Sequence, residues 1–124
     1  MKKYITGDLL HYKICNTKYL IEVTNTSKHG YCFKGVKDDF NGVICDEFIE
    51  DIPLIPEILE KNGWKKDKDG YFNDSYHIRL CESSTNYTAY KVVNKSIVWL
   101  RAVENVSDLQ HLLFGLDISL KIEV

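Results

Sequence analysis

Hydrophobic and polar positions alternate along the first half of the chain, with the period of half-buried β-strands. In Lys18–Thr24, Tyr19, Ile21 and Val23 fall on one side. The predicted strands are Asp8–Cys15, Lys18–Thr24, Tyr31–Val36 and Val43–Ile52, with turns at Asn16-Thr17, Asn25–Gly30 and Lys37–Gly42. Four short strands at this spacing predict a small, curled, antiparallel sheet of SH3-like architecture.

The pattern changes at Pro53, where a short helix is predicted. Pro56 suits a first helical position and Gly63 suits a left-handed exit, with Trp64 packing back after it. An antiparallel meander then follows, with strands predicted from Tyr71 or Ser75 to Cys81, from Tyr87 to Val93 and from Ile97 to Val103.

A second helix is predicted over Asp108–Leu116. Ser107 and Gln110 have the spacing of a capping box at its start. The helix carries an apolar stripe at positions i, i+3, i+4 and i+7, formed by Leu109, Leu112, Leu113 and Leu116. Alternation over Ile118–Val124 predicts a half-buried final strand.

These elements predict an α+β fold in one domain, residues 1–124. Its two parts are a β-rich half, 1–52, and a half with helix, meander, helix and strand, 53–124. A length of 124 residues suits one compact core.

Composition narrows the setting of the protein. The net charge of -2 disfavours a dedicated nucleic-acid coat protein. The widely spaced cysteines form no CxxC pair, and we expect four buried or half-buried thiols and no structural zinc; they are Cys15, Cys32, Cys45 and Cys81. Since no secretion signal or membrane-spanning run is recognisable, we expect a protein of the bacterial cytoplasm.

Two segments carry a family resemblance: Ile52–Trp64, which reads IPLIPEILEKNGW, and Val106–Leu116, which reads VSDLQHLLFGL. They resemble small proteins common in phages and mobile elements of Bacteroidetes, which have a PLT-E-L-K-GF helix and a terminal V-H-L-Q-L-FAL helix. Here Trp64 replaces the usual Phe, and Asp108 stands where those sequences often carry His. The resemblance implies a shared fold and a phage origin, and it carries over no catalytic residue and no cofactor.

The predicted meander offers a candidate ligand site. If its strands are neighbours, one face gathers aromatic and cationic side chains, namely His77, Arg79, Tyr87, Lys91, Trp99 and Arg101. Aromatic rings stack on bases, and Arg and Lys bind phosphates, so this face suits a small nucleotide. The alternative is an ordinary outer sheet face, in which the two arginines pair with Glu82, Glu104 or each other's acidic neighbours.

The second helix offers a different surface. His111 and Phe114 fall off the leucine stripe, so they suit an interface with a host protein or with another copy of the chain. The alternative is that Phe114 tucks against the Gly63–Trp64 loop or the final strand.

The sequence therefore predicts a non-enzymatic binding protein that forms a homo-oligomer. The leading hypothesis is a phage counter-defence protein that sequesters a nucleotide immune signal. The alternative is a protein–protein module that inhibits a host or phage protein. A small hydrolase, using carboxylates among Asp46, Glu47, Glu50 and Asp51, has the least support, because a run of charges usually marks a solvated surface.

Overall fold

The computed structural model describes residues 4–28 and 30–124 and has the predicted mixed α+β architecture. The chain divides into two compact units, Met1–Ile52 and Pro53–Val124. Each unit is built on a five-stranded antiparallel sheet, and both α-helices of the described residues belong to the second unit. The single domain over the whole chain stays a prediction.

The first unit is a four-stranded meander with a short return strand. Its strands are β1 Leu9–Ile14, β2 Thr17–Ser27, β3 Gly30–Gly35, β4 Asn41–Ile44 and β5 Ile49–Glu50. Their order in the sheet is β4-β3-β2-β1-β5, with all pairs antiparallel. A 3-10 helix, Asp46–Phe48, separates β4 from β5, which pairs back onto β1. The predicted small sheet is confirmed, and the SH3-like label stays a prediction.

The β1–β2 turn is Cys15-Asn16 rather than the predicted Asn16-Thr17, and two larger features of this unit also differ from the prediction. A bulge between Val23 and Asn25 lets the polar end of β2 continue its pairing with β3 as far as Ser27. The predicted loop Asn25–Gly30 is therefore mostly strand, and His29 within it lies outside the described residues. The stretch Val43–Ile52 is wrong as a single strand, because the 3-10 helix interrupts it.

The first sheet carries a group of four interacting aromatic rings at its buried core. Tyr12 and Phe40 each contact both Tyr19 and Phe33, with centroid separations from 5.5 to 6.2 Å. Gly35 makes room for this group, because a Cβ at that position would lie 2.5 Å from the Phe40 ring. Tilted and edge-to-face contacts of this kind stabilise a small sheet beyond the burial of area alone.

The second unit joins two helices to the predicted meander. Its helices are α1 Pro56–Lys61 and α2 Val106–Gly115, and its strands are β6 Lys65–Lys66, β7 Gly70–Asn73, β8 Ile78–Glu82, β9 Tyr87–Val93 and β10 Ser96–Val103. The strand order is β10-β9-β8-β7-β6. Among the described residues, no helix has the length and apolar character needed to cross a membrane.

Helix α1 forms as the sequence predicts. Pro56 occupies its start, and Gly63 adopts a φ of +87° just after its end, a conformation that glycine adopts without steric cost. Leu59 and Trp64 are buried, which confirms that the chain packs back after the helix.

Helix α2 has the predicted leucine stripe, with Leu109, Leu112 and Leu113 buried, but the predicted cap is wrong. The helix begins at Val106, and Asn105 is its cap: the Asn105 side chain accepts the Asp108 N–H at 2.9 Å. Asp108 completes the capping box by accepting the Asn105 N–H, while Ser107 lies inside the first turn and donates its hydroxyl to Asn105. The helix begins two residues earlier than predicted, so the residue in the cap position is the extended Asn105 and the serine is not needed as the cap.

The predicted final strand over Ile118–Val124 does not form. The predicted alternation does appear in burial, since Ile122 is buried and its neighbours Lys121 and Glu123 are exposed. The backbone of Glu123 is bound by the side chain of Asn62, which donates to its C=O at 2.7 Å and accepts from its N–H at 2.8 Å. A side-chain amide thus takes the part that a neighbouring strand plays in a sheet.

Candidate functional site on the second sheet

The pairing of strands in the second unit decides which predicted site residues share a face. Residues directly opposite one another in antiparallel strands point to the same side of a sheet. Leu80 pairs with Ala89 and Tyr71, and all three are buried, so they mark the core face. Arg79 and Tyr90 also pair with each other, and each lies one position along its strand from the Leu80–Ala89 pair. They therefore lie on the opposite face, which is the outer face of the sheet.

His77 does not belong to either face. Residues 74–77 form the turn between β7 and β8, and His77 ends that turn with a φ of +56°. The predicted strand from Ser75 is therefore wrong, because Asp74 and Ser75 begin a turn. The Asn73 side chain stabilises the turn by accepting the Ser75 N–H at 3.0 Å.

Trp99 and Arg101 lie on opposite faces, contrary to the prediction that they share one. The β9–β10 register shifts between these residues: Trp99 pairs with Tyr90, and Arg101 pairs with Ala89. The extra residue, Leu100, forms a β-bulge that reverses the alternation along the rest of the strand. On the core face, Arg101 donates to Asp108 of α2 at 3.4 Å.

Lys91 and Tyr87 also lie on the core face, through their pairing with Ile78 and Glu82. Lys91 donates its ammonium to the Tyr76 C=O at 3.2 Å and so holds the β7–β8 turn. Burial raises the pKa of the Tyr87 hydroxyl above its ordinary value, with the nearby Glu82 carboxylate adding to the shift. The single face of six predicted ligand residues is therefore wrong, and two of them, Arg79 and Trp99, share the outer face.

The outer face nevertheless carries a continuous row of cationic and aromatic side chains across the sheet. Successive strand pairs place Lys65 opposite Phe72, Phe72 opposite Arg79, Arg79 opposite Tyr90 and Tyr90 opposite Trp99. We call these five residues, one from each strand, the outer-face row. With strands about 4.8 Å apart, it spans about 19 Å.

Arg79 occupies the centre of the outer-face row and has defined neighbours. Its guanidinium lies over the Phe72 ring, 5.3 Å from the centroid, and its Nη1 donates to the Asp67 carboxylate. This hydrogen bond, with help from the Asp69 backbone N–H, lowers the pKa of Asp67 below its ordinary value. Both arginines do pair with acidic groups, but the partners are Asp67 for Arg79 and Asp108 for Arg101 rather than Glu82 and Glu104.

Trp99, at the β10 end of the row, is the most accessible of its aromatic residues. Trp99 is 61% exposed, while Phe72, Arg79 and Tyr90 are half-buried. An exposed indole beside a phenol gives a flat, wide stacking surface, and the Arg79–Asp67 pair presents a donor and an acceptor beside it. This arrangement suits a planar ligand with polar edges.

The predicted partner surface on α2 is accessible. Phe114 is 74% exposed, so the alternative in which it tucks into the protein is wrong. His111 is half-buried on the same helix.

The other candidate groups predicted from the sequence are the carboxylates of the acidic segment, Asp46, Glu47, Glu50 and Asp51. In the acidic segment, Glu50 binds Lys18 at 2.6 Å and Asp51 accepts from the Tyr4 hydroxyl at 3.0 Å, while the side chain of Asp46 lies outside the described residues. Within residues 4–28 and 30–124, no His, Cys, Asp and Glu side chains group so as to hold a metal ion.

All four cysteines are free thiols. The prediction that all of them are buried or half-buried is wrong for two, because Cys15 lies in the two-residue β1–β2 turn and Cys45 follows the edge strand β4, and both are exposed.

Sequence reasoning missed three members of the outer-face row: Lys65, Phe72 and Tyr90. The signal that places Phe72 is the turn-forming run Asn73-Asp74-Ser75, which separates β7 from β8. Once that hairpin is recognised, Phe72 lies opposite Arg79. No family model, curated protein or solved structure matches the chain.

Proposed function

We propose that the protein is a non-enzymatic binding protein that takes the base of a nucleotide-type ligand on its outer-face row. The observation that carries the proposal is the continuous pairing of Phe72, Arg79, Tyr90 and Trp99 across four strands. Aromatic side chains on an open sheet are a stacking platform for bases, and each stacked base contributes about 1–3 kcal/mol.

The proposed roles follow from exposure and charge. Trp99 and Tyr90 stack on the base. Arg79 and Asp67 together carry little net charge, and they offer a donor and an acceptor to the base edge. Lys65, at the far end of the row, is the exposed cation of the row and meets a phosphate.

The biological setting is part of the proposal. The resemblance to phage and mobile-element proteins favours stoichiometric capture of a nucleotide signal used in host defence. A binding protein needs only the stacking surface for this role.

Titration with a panel of cyclic dinucleotides, cyclic mononucleotides and ADP-ribose tests the proposal. Stacking on Trp99 quenches its fluorescence, and a Trp64→Phe background removes the signal of the buried second indole. We expect saturable quenching by one class of nucleotide. Trp99→Ala should weaken binding about tenfold or more, measured by calorimetry, since one stacked base is lost.

Ile97→Ala is the matched control. Ile97 lies on the same strand and the same outer face, is 69% exposed, and has no ring. Unchanged affinity in this variant together with loss in Trp99→Ala supports the proposal. Binding that survives a Trp99→Ala, Tyr90→Ala double substitution, or no binding across the panel, would overturn it.

A second candidate function is a protein–protein module that inhibits a host or phage protein. The 74% exposure of Phe114 favours it, because a large exposed ring is a frequent interface anchor. Capture of one defined partner from host lysate by the wild type, with loss in Phe114→Ser, supports this function. Equal capture by both proteins contradicts it.

A further inference from the structure

We propose that β10 is a dimerisation strand, which pairs antiparallel with β10 of a second copy of this chain. β10 is the last strand in the order of the second sheet, so among the described residues no strand pairs with the edge of β10 that points away from β9. An edge of this kind presents backbone N–H and C=O groups that another strand can bind. The inference does not rest on the proposed nucleotide ligand.

The other edge of the same sheet shows what a protected edge looks like. β6 has two residues, and both are lysines, Lys65 and Lys66. Short strands and lysines are features that prevent an edge from pairing with another chain. β10 is eight residues long and has no lysine at its exposed centre, so the two edges of this sheet differ in both features.

The exposed centre of β10 is apolar. Ile97, Val98 and Trp99 are consecutive and are 69%, 47% and 61% exposed. No charged residue occurs between Lys95 and Arg101. Exposed, uncharged β-branched and aromatic residues on an edge strand favour pairing with a strand of similar composition.

The chain itself limits how much of the edge is open. Beyond the strand, Leu54 donates its N–H to the Glu104 C=O at 3.3 Å, and Pro53 bridges Asn105. The bulge after Trp99 bends the strand before that point. The open segment, which ends at the bulge residue, is therefore Ser96–Leu100.

This segment is complementary to itself when it runs antiparallel about Val98. In that register Val98 lies opposite Val98 of the partner subunit, and Ile97 lies opposite Trp99 of the partner subunit on the outer face. Aromatic–β-branched pairs of this kind stabilise a sheet by about 0.2–1 kcal/mol each. The flanking Arg101 lies beyond the bulge and is held by Asp108, so it does not face Lys95 of the partner subunit.

The partner that fits is a second copy, because each residue of the segment then meets an uncharged residue and no charge is buried. A pair of five-residue segments buries less area than a standard protein interface. We therefore expect a dimer that dissociates on dilution.

Sedimentation equilibrium of the full chain over a range of concentrations tests the inference. The wild type should move from the 14.4 kDa monomer toward twice that mass as concentration rises. Val98→Asp should raise the dissociation constant about tenfold or more, because two carboxylates then face each other across the two-fold axis. Within one copy the new carboxylate lies opposite Lys91, so we expect the fold to persist, as checked by circular dichroism.

Val43→Asp is the matched control. Val43 is an exposed valine on β4, an edge strand of the first sheet, and is 65% exposed. Association that is lost in Val98→Asp and kept in Val43→Asp supports the inference.

A charge-pair rescue tests the register itself. Val98→Lys alone should also be monomeric, whereas an equimolar mixture of Val98→Asp and Val98→Lys should form a mixed dimer, since residue 98 meets its own equivalent. Hydrogen exchange of the wild type adds a measurement that needs no variant: amides of Ser96–Leu100 should gain protection as concentration rises. A wild type that stays monomeric, association that persists in Val98→Asp, or a mixture without rescue would overturn the inference.

Discussion

The start of helix α2 offers a test that distinguishes two capping arrangements. The Asn105 side chain is buried and accepts both the Asp108 N–H at 2.9 Å and the Ser107 hydroxyl at 2.8 Å. Replacing Asn105 with Ala removes the cap, which costs about 1–2 kcal/mol, and a second hydrogen bond worth about 1 kcal/mol. We therefore expect Asn105→Ala to lower the free energy of unfolding of the second unit by about 2–3 kcal/mol.

Ser107→Ala is the informative comparison. This substitution leaves the cap intact and removes one hydrogen bond to Asn105, while alanine favours the helix. The expected cost is about 1 kcal/mol or less.

Urea unfolding followed by tryptophan fluorescence measures both variants. Trp64 and Trp99 both lie in the second unit, so the signal reports on the unit that contains α2. With an m-value of about 1 kcal/mol/M, Asn105→Ala should lower the midpoint by about 2 M or more. A Ser107→Ala variant as destabilised as Asn105→Ala would refute the reasoning, because it would make the serine the effective cap.

Three further predictions concern pH, backbone packing and thiol reactivity. The pKa of Asp67 is lowered in the folded state, so its hydrogen bond to Arg79 stabilises the fold at pH values above the ordinary pKa of 3.8. This stabilisation is lost as the pH falls through the lowered pKa, and the difference in melting temperature between wild type and Asp67→Asn should shrink over that pH range. Gly70→Ala should destabilise strongly, by about 3 kcal/mol or more in urea unfolding, since its Cβ would lie 2.0 Å from the Leu80 carbonyl oxygen, and a loss below about 1 kcal/mol would contradict this. Alkylation followed by mass spectrometry should modify exposed thiols before half-buried ones, that is Cys15 and Cys45 before Cys32 and Cys81, with burial also raising the pKa of Cys81; early labelling of Cys81 would contradict the structure.

Local signals predicted the helices well because they depend on short-range geometry. Pro56 favours the start of α1 and Gly63 favours its end through their own backbone preferences. The leucine stripe of α2 can be predicted from the helical period alone. Where two local signals compete, the sequence does not decide between them. Asn105 and Ser107 are both capable of capping, and the choice depends on where the preceding strand ends.

The candidate site was harder to predict because it depends on register. Whether Arg79 faces Tyr90 or Ala89 is a property of two strands, and a shift of one residue exchanges the faces. The alternation within single strands correctly grouped Ile78 with Leu80. It failed at Trp99 and Arg101, where no residue type in the sequence marks the bulge.

The final segment shows a different limit. Its alternation reflects which residues are buried, and the sequence pattern does report that. It does not report what the backbone binds, and here the partner is the side chain of Asn62. A period of two therefore indicates a half-buried extended chain without establishing that a sheet continues through it.

The bulge at Leu100 decides which residues at the end of β10 face the core. Because Leu100 has no partner on β9, its deletion would leave Arg101 opposite Ala89 and Val103 opposite Tyr87, on the faces that they occupy now. Flattening the bulge with Leu100 retained would instead place Leu100 opposite Ala89 and turn every later residue over. The buried Val103 would then face water, and Arg101 would leave the start of α2 and join Trp99 on the outer face. That register has the arginine–tryptophan pair that the plain sequence suggests, at the expense of the core and of the contact between Arg101 and Asp108. Related chains that keep this fold should therefore either keep one unpaired residue after Trp99 or lack that residue altogether.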